Sequence, residues 1–319
     1  MTAVAQAVGI RLAYGIPVFF IVTFAMALLV EFMPGSPGQA ILGENATPEA
    51  VAALNERYGY NLPPLERYGN WLLGVFQLDL GTTLFTREPV VDVLGRRLIV
   101  TLEVAGLALA MALIVSLPLA LVTAFRQGGW LDRILNVVSS AMLSIPSFVS
   151  VVVVSLVFTV WLKAFPATGW VPIADGGLLE NLRFAFLPAL ALALYETAFF
   201  YRIVRSDLVT TLREDFVLVA RAKGIPKWRT IAPRHVLRPS LTSLVTLLGL
   251  AIGRLLGGAV IVEFFFSIPG IGGESIAAVG IKDMNMLQGI VALGVVVYVL
   301  IFILVDLAYA WIDPRVSVR

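Results

Sequence analysis

Of 319 residues, 59% are hydrophobic and 14% are charged, against about 45–50% and about 25% in soluble globular domains, which excludes an ordinary water-facing fold and points to an integral membrane protein. The net charge of +2 is too small for a nucleic-acid surface. With no cysteine, one histidine (His235), no G-x-x-x-x-G-K-[ST] and no G-x-S-x-G, the chain offers no thiolate or multi-His metal site, no P-loop and no nucleophile elbow, so no metal or cofactor is expected on it.

A helix needs about 20 apolar residues to cross a bilayer core of about 30 Å. Stretches without charge at 12–30, 104–125, 134–162 and 284–305, and stretches with one charge at 184–201 and 239–262, predict six spans, at about 10–32, 98–125, 134–162, 184–205, 239–262 and 285–312. The first is expected to stay as a helix rather than be cleaved, because its only basic leader residue is Arg11 and no small-residue cleavage site follows. A long segment, 34–97, comes next. Thr47-Pro48-Glu49 reads as an N-cap, a proline at the first helical position and an acid in the first turn, and Gly59 as the stop. Pro63-Pro64 opens a second helix through Trp71 and Phe76. Two readings stay open: a small folded cap, or a helical lid that only packs on the spans. Pro118 and Pro146 predict kinks in the second and third spans.

Residues 184–201 of the fourth span are interrupted only by Glu196, and the span leads into a basic region, 206–235. There Thr211-Leu212-Arg213-Glu214 fits a capping box, and a helix is expected through Asp215, Phe216, Val219, Arg221 and Ala222, stopped by Gly224 in the left-handed conformation. About 12 residues, about 18 Å, cannot cross a membrane. A second short helix is expected from Pro226 through Ile231. A capped basic helix between spans is either an interfacial helix lying on membrane lipid or a docking helix for a cytoplasmic partner. His235 reads as a hydrogen-bonding residue at a helix start.

In the fifth span Gly249, Gly253 and Gly257 recur every fourth residue, with Gly258 beside the last. This doubled G-x-x-x-G predicts close approach of another helix, from this chain or a second subunit. Charges at membrane depth are costly and mark function; here they are Glu103, Glu196, Arg254 and Asp306. Arg254 is the candidate pathway residue, with a structural pairing as the alternative. Six spans put both termini on one side with Arg126, Arg133 and the basic residues of 202–238, and the positive-inside rule makes that side cytoplasmic and segment 34–97 extracytoplasmic.

Several stretches carry a resemblance: Ala220-Arg221-Ala222-Lys223-Gly224, Arg234-His235-Val236-Leu237-Arg238-Pro239, Gly43-Glu44-Asn45-Ala46-Thr47-Pro48-Glu49-Ala50 and Leu78-Asp79-Leu80-Gly81. Trp130-Leu131-Asp132-Arg133, Gly257 to Glu263, Ser267-Ile268-Pro269-Gly270-Ile271-Gly272, Val305 to Tyr309 and Asp313-Pro314-Arg315 extend it over the whole chain. In this combination the sequence resembles the permeases of ABC importers, in particular the B-type subunit of the dipeptide, oligopeptide and nickel family. It departs from the broad importer signature, which has Glu-Ala-Ala where this chain has Leu218-Val219-Ala220 and Leu-Pro at Val236-Leu237.

The resemblance implies an all-α membrane protein of type I importer architecture, a single permease domain over 1–319 in the cell membrane. Its implied partners are a second, homologous permease, two cytoplasmic ATPases that carry ATP and Mg, and an extracytoplasmic solute-binding protein. The implied cargo is a peptide or related small solute. It makes Asp215, Ala220, Arg221, Ala222, Lys223 and Gly224 the expected ATPase-coupling residues. The competing reading is a secondary transporter using intramembrane charges for ion coupling, which predicts an internal repeat that the two halves do not display.

Overall fold

The computed structural model describes residues 2–32, 37–43, 46–57, 59–224 and 237–312. Helices dominate: α1 (Thr2–Glu31), α2 (Pro37–Leu42), α3 (Pro48–Arg57), α4 (Pro64–Phe76), α5 (Val90–Phe125), α6 (Trp130–Ser144), α7 (Ser147–Ser155), α8 (Ile173–Thr211), α9 (Asp215–Ala222), α10 (Leu237–Phe266), α11 (Ile271–Ile281) and α12 (Met284–Ile312). Among the described residues five helices are long and apolar enough to cross a membrane, or six if the bent pair α6–α7 is one span.

That bend is sharper than a kink. The helices before and after it diverge by 106°. Ile145 (φ −81°, ψ 123°) and Pro146 (φ −58°, ψ 143°) are both extended. Proline supplies no N–H and drives its predecessor out of the helical region, so one residue type sets both angles. The span expected over 134–162 with a kink at Pro146 is thus built of two helices, the second ending in a π-helical turn, Leu156–Trp161. Around Pro118, by contrast, α5 continues as one helix.

The chain divides into two compact units, one built on Leu102–Ile268 with the chain from Ile301, the other on Val8–Thr101 and Pro269–Leu300. In the second unit the local signals of segment 34–97 are realised. The Thr47 hydroxyl accepts from the Ala50 amide at 3.3 Å, Gly59 sits at φ +69°, and α4 starts behind Pro63. The segment's buried rings, Tyr68 and Trp71, pack with Ala27 of α1 and Ala292 of α12. Tyr68 hydroxyl lies 3.0 Å from that of the buried Thr23 in α1. The segment therefore draws its core from the apolar helices, in the manner of a lid. A second cluster joins Val90, Val93 and Leu94 at the start of α5 to Ala278, Met286 and Leu287. Asp283 links the two stretches: its carboxylate accepts from the amides of Leu84 at 2.7 Å and Met286 at 3.1 Å. Burial pushes the Asp283 carboxyl above the ordinary carboxylate range, and the backbone donors oppose that shift only in part.

α11 lies between the fifth and sixth expected spans, where no helix was expected from the sequence. The helix starts directly behind Pro269-Gly270, with the Ile271 amide donating to the Thr101 hydroxyl at 2.9 Å and Glu274 paired to Arg97 at 2.9 Å.

In the first unit α8 is the spine. α6, α7 and α10 all pack on it. Its alanines and leucines (Ala185, Ala189, Ala193, Leu187 and Leu192 among them) are buried, as expected of a helix surrounded by others rather than by lipid. α5 buries a row of small residues at every fourth position, Ala108, Ala112, Ser116, Ala120 and Ala124. That spacing makes one smooth helix face suited to close packing. It is a stronger small-residue row than the glycines singled out in the fifth span.

Candidate functional site

The site is built on α8. Midway along it Glu196 is 2% exposed, a costly place for a carboxylate unless a cation meets it. Arg254 of α10, 58 residues away in sequence, supplies that cation. Its Nε donates to Oε1 at 3.2 Å and its Nη2 to Oε2 at 2.8 Å, the fork geometry in which guanidinium binds carboxylate best. The guanidinium also lies over the Phe199 ring, 4.1 Å from its centroid, a cation–π contact. Arg254 is not enclosed: about a third of its side chain (34%) remains exposed, against 3% for Glu196.

What it faces is a cavity of about 380 Å³. The wall opposite the ion pair is the α6–α7 break: Ile145, Pro146, Ser147 and Ser150 line it. The break thus brings hydroxyls and irregular backbone to the same chamber as the charges. Such backbone inside a membrane is tolerated where it lines a cavity. Sequence reading identified Arg254 and noted Glu196, but not their pairing. The only signal was that each is the lone charge of an otherwise uncharged stretch, Glu196 in 184–201 and Arg254 in 239–262.

A second guanidinium–carboxylate fork lies further along α8. Arg205 Nε and Nη2 donate to Asp132 of α6 at 2.6 and 2.7 Å. Asp132 is 4% exposed and also accepts from the Gly128 amide at 2.9 Å and from Asn136 Nδ2 at 2.9 Å. Every lone-pair direction of this carboxylate is used, so it locks the α5–α6 turn to α8.

Beyond this clamp the predicted capping box does not form. Thr211 is still in the last turn of α8, where its hydroxyl donates back to the Asp207 carbonyl at 2.8 Å. The reason is the buried row Val204, Leu208 and Leu212, which keeps α8 helical one turn longer than the cap pattern implies. α9 is accordingly eight residues, Asp215–Ala222. Its Val217 is fully buried, while Phe216, Leu218 and Val219 are exposed. Asp215, Ala222, Lys223 and Gly224 are exposed too, with Ala220 half-buried. Gly224 stands at φ +76°, with no atom within 4 Å of where a Cβ would be. The base of the helix is tied back through Arg213 Nη2, which donates to Gln127 Oε1 at 3.3 Å. The side chain of Arg221, the helix expected over 226–231, His235 and Asp313-Pro314-Arg315 lie outside the described residues.

The glycines of α10 do not share one contact. A Cβ at Gly249 would come within 2.6 Å of Val305 in α12, and one at Gly258 within 3.8 Å of Leu192 in α8. Gly253 is half-buried, while Gly257 is exposed and a Cβ there would meet nothing within 4 Å. The row meets neighbours of this chain at Gly249 and Gly258 and is open at Gly257. A larger chamber of about 420 Å³, walled by Met111, Leu135, Met142, Leu190 and Tyr201 among others, is almost wholly apolar. Among the described residues no group of three or more His, Cys, Asp or Glu converges to hold a metal ion.

Comparison with known proteins places this arrangement. The family described as binding-protein-dependent transport system inner membrane component matches residues 116–318. A putative peptide transport system permease protein of Brucella suis is 34% identical over 308 residues, covering 96% of this chain and 97% of its own. The dipeptide transport system permease protein DppB of Alkalihalophilus pseudofirmus is 32% identical over 326 residues, covering 96% and 98%. The metal-staphylopine import system permease protein CntB of Staphylococcus aureus is 30% identical over 309 residues, covering 96% of each chain.

Proposed function

The chain belongs to the binding-protein-dependent transport system inner membrane components, as a multi-pass permease of the ABC importer kind, and from that premise we propose that it forms half of a pathway for peptides or a related small solute. The names of the relatives support the peptide reading. The proposed partners are a second homologous permease, two cytoplasmic ATPases that bind ATP and Mg, and an extracytoplasmic solute-binding protein. Both termini and region 206–235 are proposed to be cytoplasmic, and segment 34–97 extracytoplasmic.

The observation that carries the mechanism is the continuity of α8. Gly177, at φ +73°, breaks only its first turns; the remainder reaches Thr211. Glu196 and Thr211 are fifteen residues apart, about 22 Å along one rigid rod. α9 hangs from its end by a three-residue turn, with Val217 anchored inward and Phe216, Leu218 and Val219 outward. An apolar outward face on a short, firmly ended helix suits a groove on a partner protein. In this proposal the ATPases move α9 when they close on ATP. The Asp132–Arg205 fork makes α6 follow α8. The same displacement reaches Glu196, shifts Arg254 with it and changes the side from which the cavity is open, an alternation by rigid elements. Asp215, Ala220, Arg221, Ala222, Lys223 and Gly224 are the proposed coupling residues, and Arg254 the proposed pathway residue.

Gly224→Val tests the coupling half. A β-branched residue at φ +76° costs about 1–3 kcal/mol locally, while the apolar helices are untouched. The variant should reach the membrane yet lose the ATPases on purification, or lose solute-stimulated ATP hydrolysis. Normal co-purification with normal stimulated turnover would refute the coupling role.

A further inference from the structure

The cavity at the α6–α7 break has a chemistry of its own. Its lining is mostly apolar, with Leu143, Leu192, Leu255 and Val262, yet the Glu196–Arg254 pair lines it too, and of the two it is the guanidinium that stays accessible, 34% against 3%. Glu196 takes the Nε and Nη2 hydrogens, and Nη1 makes no hydrogen bond among the described residues. A guanidinium has five N–H donors in a fixed fork that matches a carboxylate. Two are used by a buried acid, and a third of the side chain is open to the chamber. The volume, about 380 Å³, falls in the range of small-ligand sites, about 300–1,000 Å³.

From this we propose that Arg254 reads a carboxylate of the passing solute through the donors that Glu196 leaves free, with Glu196 as the resident counter-ion. Resting on the pathway reading above, the assignment adds the chemical class: solutes with a free carboxylate group and an apolar body. The pairing explains how a pathway can hold such a charge. An unpaired arginine at this depth would be expensive, and an arginine open to solute alone would bind an anion too tightly to release it. Glu196 removes both problems. It occupies the strongest fork permanently and leaves the solute only the remaining donors, so binding is selective but weak. The apolar walls take side chains without preference, and Ser147 and Ser150 offer hydroxyls to a peptide backbone.

The chain has no cysteine, which gives a direct test. Ser150→Cys places a single thiol of this chain in the cavity wall. The assembled complex in lipid nanodiscs, without its solute-binding protein, is treated with a small maleimide, and alkylation of this chain is followed by mass. The probes are dialanine at millimolar concentration and dialanine C-terminal amide. Dialanine should slow alkylation several-fold and the amide should not. In Glu196→Met/Arg254→Met, which removes both charges and so leaves none buried alone, dialanine should protect no better than the amide. Equal protection by acid and amide in the wild-type background would overturn the carboxylate assignment and leave the pathway reading standing. No protection by either probe, in a complex that transports, would overturn the pathway reading itself. Preference for the acid persisting in the double variant would show that another group reads the carboxylate.

Discussion

α8 carries two guanidinium–carboxylate forks of nearly the same geometry, and they differ in what surrounds them. At Asp132–Arg205 the carboxylate is also held by an amide and an asparagine, and the arginine is 17% exposed. At Glu196–Arg254 the carboxylate has the arginine as its partner, and the arginine is 34% exposed toward a cavity. The first is saturated and closes a joint between α6 and α8. The second is left with spare donors and open space. The same interaction therefore serves rigidity in one place and exchange in the other, and accessible space beside it decides which.

This contrast predicts unequal consequences. Asp132→Ala would leave the half-buried Arg205 without its partner, a loss of about 3 kcal/mol, the lower end for breaking a buried pair. Its complex should unfold well below the wild-type temperature in detergent, or fail to assemble. Glu196→Gln keeps a hydrogen-bond acceptor, and the cavity lets water reach Arg254. Its stability loss should be smaller, about 1.5–3 kcal/mol, with transport affected more than assembly. Equal thermal shifts in the two variants would erase the distinction.

The glycines of α10 sharpen the same lesson about space. Gly249→Leu would drive a side chain into Val305, an overpacking worth about 1–3 kcal/mol, visible as reduced thermal stability of the isolated permease. At Gly257, which is exposed, a Cβ would have no atom within 4 Å, and Gly257→Leu should leave that stability unchanged within about 0.5 kcal/mol. An effect of Gly257→Leu on assembly with the second permease alone would place the partner there. A large loss at Gly257 in the isolated chain would contradict the packing described.

The apolar helices were legible from gaps between charges, because a bilayer tolerates few charges over about 20 residues. The caps at Thr47, Gly59, Pro63 and Gly224 were legible for a local reason: each depends on one residue's backbone preference. In the first unit three features were not. The Thr211 capping box lost to the buried row Val204, Leu208 and Leu212, whose tertiary packing extends α8 past it. Pro146 announced a kink, but the 106° turn depends on Ile145 and Pro146 being extended together. The pairing of Arg254 with Glu196 spans 58 residues and two helices, and neither periodicity nor spacing encodes such a contact.

The smallest expected effect lies in the other unit, at Asp283, the buried carboxyl that is bound by amides rather than by a cation. Its folded-state value is raised by burial, above about 3.9 in the unfolded chain. Between those two values the folded state holds more protons than the unfolded one. Stability contributed here is therefore full below the unfolded value and is lost as pH rises through the folded value. Asp283→Asn should flatten that slope; an opposite slope in the wild type would contradict the assignment.

Alternating access of the cavity at the α6–α7 break is the point on which the account stands. Ser147→Cys puts a thiol at the exposed edge of the break. In proteoliposomes of known orientation, a membrane-impermeant thiol reagent is applied from each side, with and without ATP plus vanadate. The account predicts that labelling switches from the cytoplasmic face in the resting complex to the opposite face in the trapped one. Labelling from one and the same side in both states would contradict it.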